Sequence, residues 1–393
     1  MRKPLRELRE FLASEAITIV TGFCLLWFLQ DQVLDAYPVP TPSMEPTIEG
    51  DPLHGDRVLV DKTYDNRTRP RRFDMIVFWQ EKHRKTVVKR VVGLPGEYIQ
   101  ILHGDLYIGK GRDDLAIFEK LPGRDSDLLA TYWDSSSKRG FLSSPLRWDL
   151  SDAAKIRKDG YLILDGRGLG YADLVDAGRS KRRAWQLRLR GRITNGYLDA
   201  AGRSHERGIA RDFGVELWLR GDGTLWIELE HPERTYMLSY RGSKTRLWKG
   251  LEPCNILGVP PLAADRERHL VFMYMDGNLC LSVDGSDLGK VRARGRILGS
   301  SRRWSRNGLA LACTGGRLEI SRLKVVHDFH YEAQGTYALN EPYCIEDRSY
   351  FVLGDNSANS SDSRIFRTVH ERFIIGRPLM IASPFRRFHV FRR

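Results

Sequence analysis

The sequence has little of what builds metal and redox centres. Its cysteines, Cys24, Cys254, Cys280, Cys313 and Cys344, stand far apart with no CxxC pair, which argues against a zinc site. No HExxH occurs, which excludes a zincin. Blocks of like charge are also missing. The net charge of +13 is spread along the chain with both signs interspersed, and no zinc-finger or RNA-binding signature accompanies it. Nucleic acid is therefore not an expected partner; a diffuse positive balance suits an anionic membrane surface better. Helical periodicity is scarce. What the chain does have is length and apolar content: 393 residues, 41% hydrophobic, predict two or three packed units and exclude wholesale disorder. The four cysteines beyond Cys24 allow up to two disulfides if exported, and unpaired core thiols are the expected state.

The N-terminus supplies the one long apolar run. Arg2, Lys3, Arg6 and Arg9 precede a stretch from Phe11 to Leu29 whose single charge is Glu15. As a helix it reaches about 28 Å, close to the hydrocarbon thickness of a bilayer. A cleavable signal peptide is the rival, but its best cleavage site, after Ala36, puts Leu34 where a small residue belongs. The expectation is a basic cytoplasmic terminus over 1–10 and a transmembrane anchor over 11–30. By the positive-inside rule the remainder then lies outside the cytoplasm, against the cell membrane.

The rest reads as mainly β. "DRVLVDK", "DMIVFWQ", "KTVVKRVVGLPGEYIQI" and "GDLYIG" are short strand patterns. From about residue 111 the texture turns Ser-, Gly- and Arg-rich around alternating strands. Here "LWLRGDGTLWIEL" and "VFMYMDGNLCLSVDG" read as hairpins on DG turns. Seven or more such strands suggest a β-sandwich. After 336 the compact texture of the first part resumes. The expected organisation is a catalytic β domain over 37–110 and 336–393, interrupted by an inserted sandwich over 111–335.

Chemistry is suggested by "TPSMEPT". Pro42 and Pro46 restrict the backbone on either side of Ser43 and disfavour helix there. A serine nucleophile needs a base, and none of the histidines sits in a triad-like loop; His54, His83 and His103 read as surface residues. The alternative base is a lysine made neutral by burial. Lys89, in "TVVKRVVGL", shares a strand face with Val87 and Val91, opposite Arg90. Spacing alone favours a lysine that snorkels from a strand over a base.

The ordered set "PSMEPT", "GDRVLVDK", "KRVVGLPGE" and "GDNSANSSDSR" behind an N-terminal apolar run resembles type I signal peptidase, a membrane-anchored Ser–Lys endopeptidase family. The resemblance covers roughly 1–110 and 336–393; the insertion looks like a concanavalin- or laminin-G-type jelly roll without a diagnostic motif. It implies Ser43 as nucleophile and Lys89 as general base, with Thr41 and the Ser43 amide as oxyanion donors. It further implies Ser360 hydrogen-bonded to the lysine, Asp362 and Arg364 bracing the site, and Asp355 and Asn356 organising their box. No metal or cofactor is required. Implied partners are exported preproteins with small residues at −1 and −3, the lipid bilayer and the secretion translocon. Two departures stand out: Pro42 replaces the usual Gly or Ser, and Ser357 replaces the Arg common after GDN. Two rivals remain. One is a self-cleaving Ser–Lys protease; the other is a membrane-tethered binding protein that uses the sandwich on a degenerate peptidase scaffold. The tail "SPFRRFHVFRR" alternates aromatics with arginines and suggests contact with a lipid surface.

Overall fold

The computed structural model describes residues 15–22, 33–64, 69–136, 147–169, 185–190, 192–198, 204–205, 208–231, 234–249, 252–292 and 307–391. The chain divides into two compact units, one of residues 1–116 with 331–393, the other of residues 117–330. The junctions thus lie a few residues inside the expected 111–335. Residues 111–116 and 331–335 join the first unit because their bonds lie there. Arg112 pairs with Glu341, Tyr331 N–H reaches the Gly104 carbonyl, and Glu332 N–H reaches Ser357.

The first unit is built on an eight-stranded antiparallel sheet. Its order is Leu34–Pro38, Arg57–Asp61, Ile374–Ser383, Met75–Gln80, Lys85–Gly93, Ser349–Leu353 and Val369–His370, with His389–Val390 added to Ile374–Ser383. Early and late sequence therefore interleave. Alternation along Met75–Gln80 fills both faces: Met75 and Val77 pack with Met44, Ile48, Val58 and Val60, while Ile76 and Phe78 pack with Val91, Tyr350 and Val352. A sheet covered on both sides buries its strands wholly, and from Val88 to Gly93 every residue of Lys85–Gly93 is buried. A smaller sheet carries Tyr98–Leu102 and Asp105–Gly109, joined by His103 and Gly104, both at positive φ as a two-residue type I′ turn demands.

The second unit is a sandwich of an eight-stranded and a seven-stranded antiparallel sheet. One core takes Val215, Leu217 and Leu219 from the first sheet and Leu225, Ile227 and Leu229 from the second. One predicted hairpin forms: Arg268–Met275 pairs with Asn278–Val283 through Asp276 and Gly277, both at positive φ. The other does not. Phe213–Gly221 pairs with Arg268–Met275 and Arg317–Asp328, whereas Thr224–His231 pairs with Arg234–Tyr240 and Gly308–Thr314. The "GDG" turn carries the chain across the core from one sheet to the other. The "TGG" turn between Gly308–Thr314 and Arg317–Asp328 does the same, and the two crossings pack on each other. A side chain at Gly316 would meet the Gly223 backbone at 2.6 Å.

At the N-terminus the described residues 15–22 are helical and exposed. Among the described residues no helix is long and apolar enough to cross a membrane. The basic terminus expected over 1–10, and residues 11–14 and 23–30 of the expected anchor, lie outside the described residues, as does Cys24. Of the other cysteines, Cys280 and Cys313 are buried thiols as expected, while Cys254 and Cys344 are unpaired but exposed.

Candidate active site

Ser43 sits in a 3-10 turn, Pro42–Met44, that Pro42 opens with its fixed φ. The turn is anchored from below: the Met44 side chain is fully buried in the core, a contribution of about 2 kcal/mol, and Ile48 N–H donates to the Met44 carbonyl. Gly50 lets the chain close over this turn, because a Cβ there would collide with the Thr41 carbonyl. From the opposite side comes the box that begins at Gly354. Asn356 N–H donates to the Ser43 carbonyl at 3.1 Å, and its side-chain amide donates to the Pro42 carbonyl at 2.8 Å. Asn356 thus holds the backbone of Pro42 and Ser43 from the far end of the sequence.

Lys89 is 2% exposed, and its Nζ lies 2.6 Å from Ser43 Oγ and 2.9 Å from the Val88 carbonyl. Burial pushes the lysine from its ordinary value near 10.5 down to about 8, against the pull of Asp362 and then Asp355, which favour the ammonium. A buried lysine in contact with a serine hydroxyl, with part of its population neutral near pH 7 to 8, is equipped to take that hydroxyl's proton. Thr41 Oγ1 is 3.4 Å from Ser43 Oγ.

Around this pair stand two buried ion pairs. Arg90 makes a bidentate bond to Asp355, Nε–Oδ1 2.8 Å and Nη2–Oδ2 2.6 Å, and Thr47 Oγ1 donates to Asp355 Oδ2 at 2.5 Å. Arg364 makes the second, Nε–Oδ1 2.9 Å and Nη2–Oδ2 2.7 Å to Asp362, whose Oδ2 also accepts from Gly354 N–H at 3.1 Å. Each ionised group is fully desolvated, a state tolerated only with partners on both sides.

The structure brings together Thr41, Ser43, Lys89, Asp355, Asn356, Asp362 and Arg364. It corrects one expectation. Ser360 does not bond Lys89; its Oγ is buried without a partner among the described residues. It packs instead against Gly354, where a Cβ would meet both Ser360 and, at 2.5 Å, the Ser43 carbonyl oxygen. The lysine instead contacts Ser43 Oγ and the Val88 carbonyl. Ser357 does not leave a gap where an arginine is usual: its Oγ accepts from Arg364 Nη1 at 2.7 Å. Sequence reasoning misses two contributors, Arg90 and Thr47. The signal for Arg90 is the pair of adjacent cations in a strand of valines, since a strand buried on both faces must give each cation a partner. His54, His83 and His103 are not buried, in keeping with a surface position.

The family profile described as signal peptidase, peptidase S26, matches residues 12–140 and 308–382, together just over half of the chain. Signal peptidase I of Bacillus caldolyticus is 38% identical over 92 residues, covering 23% of this chain and 48% of that protein. Signal peptidase I of Leptolyngbya laminosa is 37% identical over 99 residues, 23% of this chain and 47% of that one. A probable signal peptidase I-2 of Synechocystis sp. is 29% identical over 104 residues, 25% and 46% respectively. The chain spans about half the length of these curated relatives. Among solved structures, the carbohydrate recognition domain of Emp46p overlaps 46% of this chain and 88% of its own at 16% identity. The TM-score of that overlap is 0.28.

Proposed function

The chain belongs to the signal peptidase family, peptidase S26, and from that premise we propose that it is a membrane-anchored serine endopeptidase that removes N-terminal signal peptides from exported preproteins. The observation that carries this reading is the buried 2.6 Å contact between Lys89 Nζ and Ser43 Oγ. In the neutral amine the lone pair of Lys89 takes the Ser43 proton as Ser43 Oγ attacks the scissile carbonyl. The resulting ammonium then protonates the departing amine, and the C–N bond breaks. Water, giving its proton to the same lysine, hydrolyses the ester that remains. The Ser43 amide and the Thr41 hydroxyl are the donors for the tetrahedral oxygen, where one such donor contributes about 3 kcal/mol.

Residues 11–30 serve as the anchor in this reading, with the N-terminus cytoplasmic and the catalytic unit on the other side. Helical residues 15–22, with Ile17, Ile19 and Val20 turned out to solvent, support it. Substrates carry small residues at −1 and −3, and the bilayer and the translocon are the partners. The test is cleavage of a preprotein with an Ala-x-Ala site by the full chain in liposomes. Wild type should cleave, and Ser43→Ala and Lys89→Ala should not. Folded wild type that cleaves no signal peptide overturns the proposal.

A further inference from the structure

Arg364 has five N–H donors in its guanidinium, and all five are placed. Two go to Asp362; the others go to the Ser357 carbonyl (2.8 Å), Ser357 Oγ (2.7 Å) and the Glu332 carbonyl (2.6 Å). Ser357 Oγ accepts a second bond, from Glu332 N–H at 2.7 Å. The Glu332 peptide, Ser357 and Arg364 thus close a ring in which each touches the other two, and Ser357 and Arg364 are both buried. The grip continues along the chain. Thr336 and Tyr337 N–H both donate to the Arg364 carbonyl, at 2.7 and 3.0 Å. Gly335, at φ +124, lies so close that a Cβ would meet the Arg364 carbonyl oxygen at 2.5 Å. Residues 332–337 are where the sequence re-enters the first unit after residues 117–330.

We infer that Ser357 is a positioning residue that ties this re-entry segment to the Arg364–Asp362 pair and through it sets the charge environment of Lys89. The inference rests on the peptidase reading for its consequence, though not for its test. Four charges act on Lys89: Asp362 and Asp355, which favour its ammonium, and Lys85 and Arg364, which oppose it. Asp355 is neutralised separately by Arg90. Asp362, the strongest of the four, is neutralised by Arg364, whose orientation depends on the acceptors that hold its far edge. Without the Ser357 hydroxyl, Nη1 loses one of its two acceptors and Glu332 N–H loses its own. The guanidinium is then free to tilt from Asp362, which leaves more uncompensated negative charge beside Lys89. The ammonium gains, and less neutral base is present at a given pH. The chain's departure from arginine at 357 is, on this account, what couples the re-entry segment to the catalytic base.

The experiment is an NMR titration of Lys89 Cε in the full chain in detergent micelles, with 13C-labelled lysine and a Lys89→Arg spectrum to assign the signal. Wild type, Ser357→Ala, Ser357→Thr and Glu332→Pro are compared. Glu332→Pro removes the amide donor that ties Glu332 to Ser357, and so loosens the residue whose carbonyl is the other acceptor of Arg364 Nη1. Ser357→Thr, which keeps the hydroxyl, should titrate as wild type does. Ser357→Ala and Glu332→Pro should both titrate higher, by roughly half a pH unit or more, which is about threefold less neutral amine at neutral pH. The acid limb of the cleavage profile should move with them. A folded Ser357→Ala with an unmoved Lys89 midpoint overturns the coupling, and so does an equal displacement in Ser357→Thr. If Ser357→Ala does not fold, Glu332→Pro decides by the same criterion. The titration needs no substrate, so absent cleavage in wild type would sink the peptidase reading and leave this result standing.

Discussion

Arg90 and Asp355, 265 residues apart in the chain, meet in a bidentate ion pair that is almost completely withdrawn from water. Arg90 follows Lys89 in its strand, and Asp355 precedes the asparagine that holds the Ser43 carbonyl, so the pair locks the strand of Lys89 to the turn of Ser43. Removing one partner leaves the other charged in a dry site. Asp355→Ala is expected to cost about 3–5 kcal/mol of stability and to abolish cleavage. The double replacement Arg90→Met with Asp355→Leu should recover much of that stability and none of the activity. Thermal unfolding of the three proteins, read against cleavage, checks both halves. An Asp355→Ala protein as stable as wild type would contradict the account.

Lys89 reaches about 8 because burial outweighs the two carboxylates. The neutral amine is the working form, so cleavage should rise with pH, about tenfold per unit well below 8, and level off above it. A kcat/KM profile flat from pH 6 to 9 would dismiss Lys89 as the base.

The same burial makes Lys89 a liability to the fold. Its folded value is depressed relative to the unfolded chain, so at pH 7 the ammonium penalises folding, and the penalty is relieved only as pH rises between about 8 and 10.5. Lys89→Met keeps the volume without the charge. It should unfold at higher temperature, gaining roughly 1–3 kcal/mol at pH 7 while losing cleavage entirely. Calorimetry at pH 7 and pH 10 tests the sign, since the advantage of Met should shrink at the higher pH.

The family motifs bring Ser43, Lys89, Asp362 and Arg364 forward as candidates from the sequence; a rigid turn and a buried strand would suit Ser43 and Lys89 to Ser–Lys chemistry, while Asp362 and Arg364 rest on the resemblance alone. Local pattern does less well wherever a long-range choice decides. "GDGTLW" and "MDGNLC" look alike as turns, yet one crosses between sheets and the other closes a hairpin; the difference lies in which distant strand pairs with each arm. The same holds for Arg90, whose need for a partner can be read from its strand but whose partner cannot. Ser360 shows the converse: the lysine meets Ser43 and a carbonyl, while the Ser360 hydroxyl packs against Gly354, a choice of side-chain placement that the motif does not reveal.

Glycines carry the site's tightest approaches. A side chain at Gly50 would overlap the Thr41 carbonyl, and one at Gly354 would press on Ser360 and the Ser43 carbonyl. Neither neighbour is a flexible side-chain end on its own; each approach involves backbone. Gly354→Ala should cut kcat at least tenfold with a modest loss of stability, because the nucleophile's turn must shift, and a shift near 1 Å at the reacting atoms costs about 100-fold. Gly96→Ala, where a Cβ would meet nothing, serves as the control: its φ of +78 costs stability, yet it should leave kcat unchanged.

The C-terminal turn presents Phe385 at 85% and Phe388 at 51% exposure, with Val390 and, on a separate loop, Leu53 at 86%. Arg387 secures this turn by ion pairs to Asp56 and Glu49, so the aromatic tips are held rather than trailing. Large apolar groups fixed in water beside the exposed Arg386 suit an anionic lipid surface. Full burial of each phenylalanine contributes about 2 kcal/mol, and a nearby arginine about 1 kcal/mol. An environment-sensitive dye placed at Phe385→Cys, with Cys254 and Cys344 replaced by Ser, should report an apolar setting in proteoliposomes containing anionic lipid. Nitroxide-labelled lipid should quench it there. Phe388→Ser with Leu53→Ser should weaken the quenching, and neutral lipid should weaken it further. Emission identical in vesicles and in water would make the tail a solvated terminus, and the alternation of aromatics with arginines would then owe nothing to the membrane.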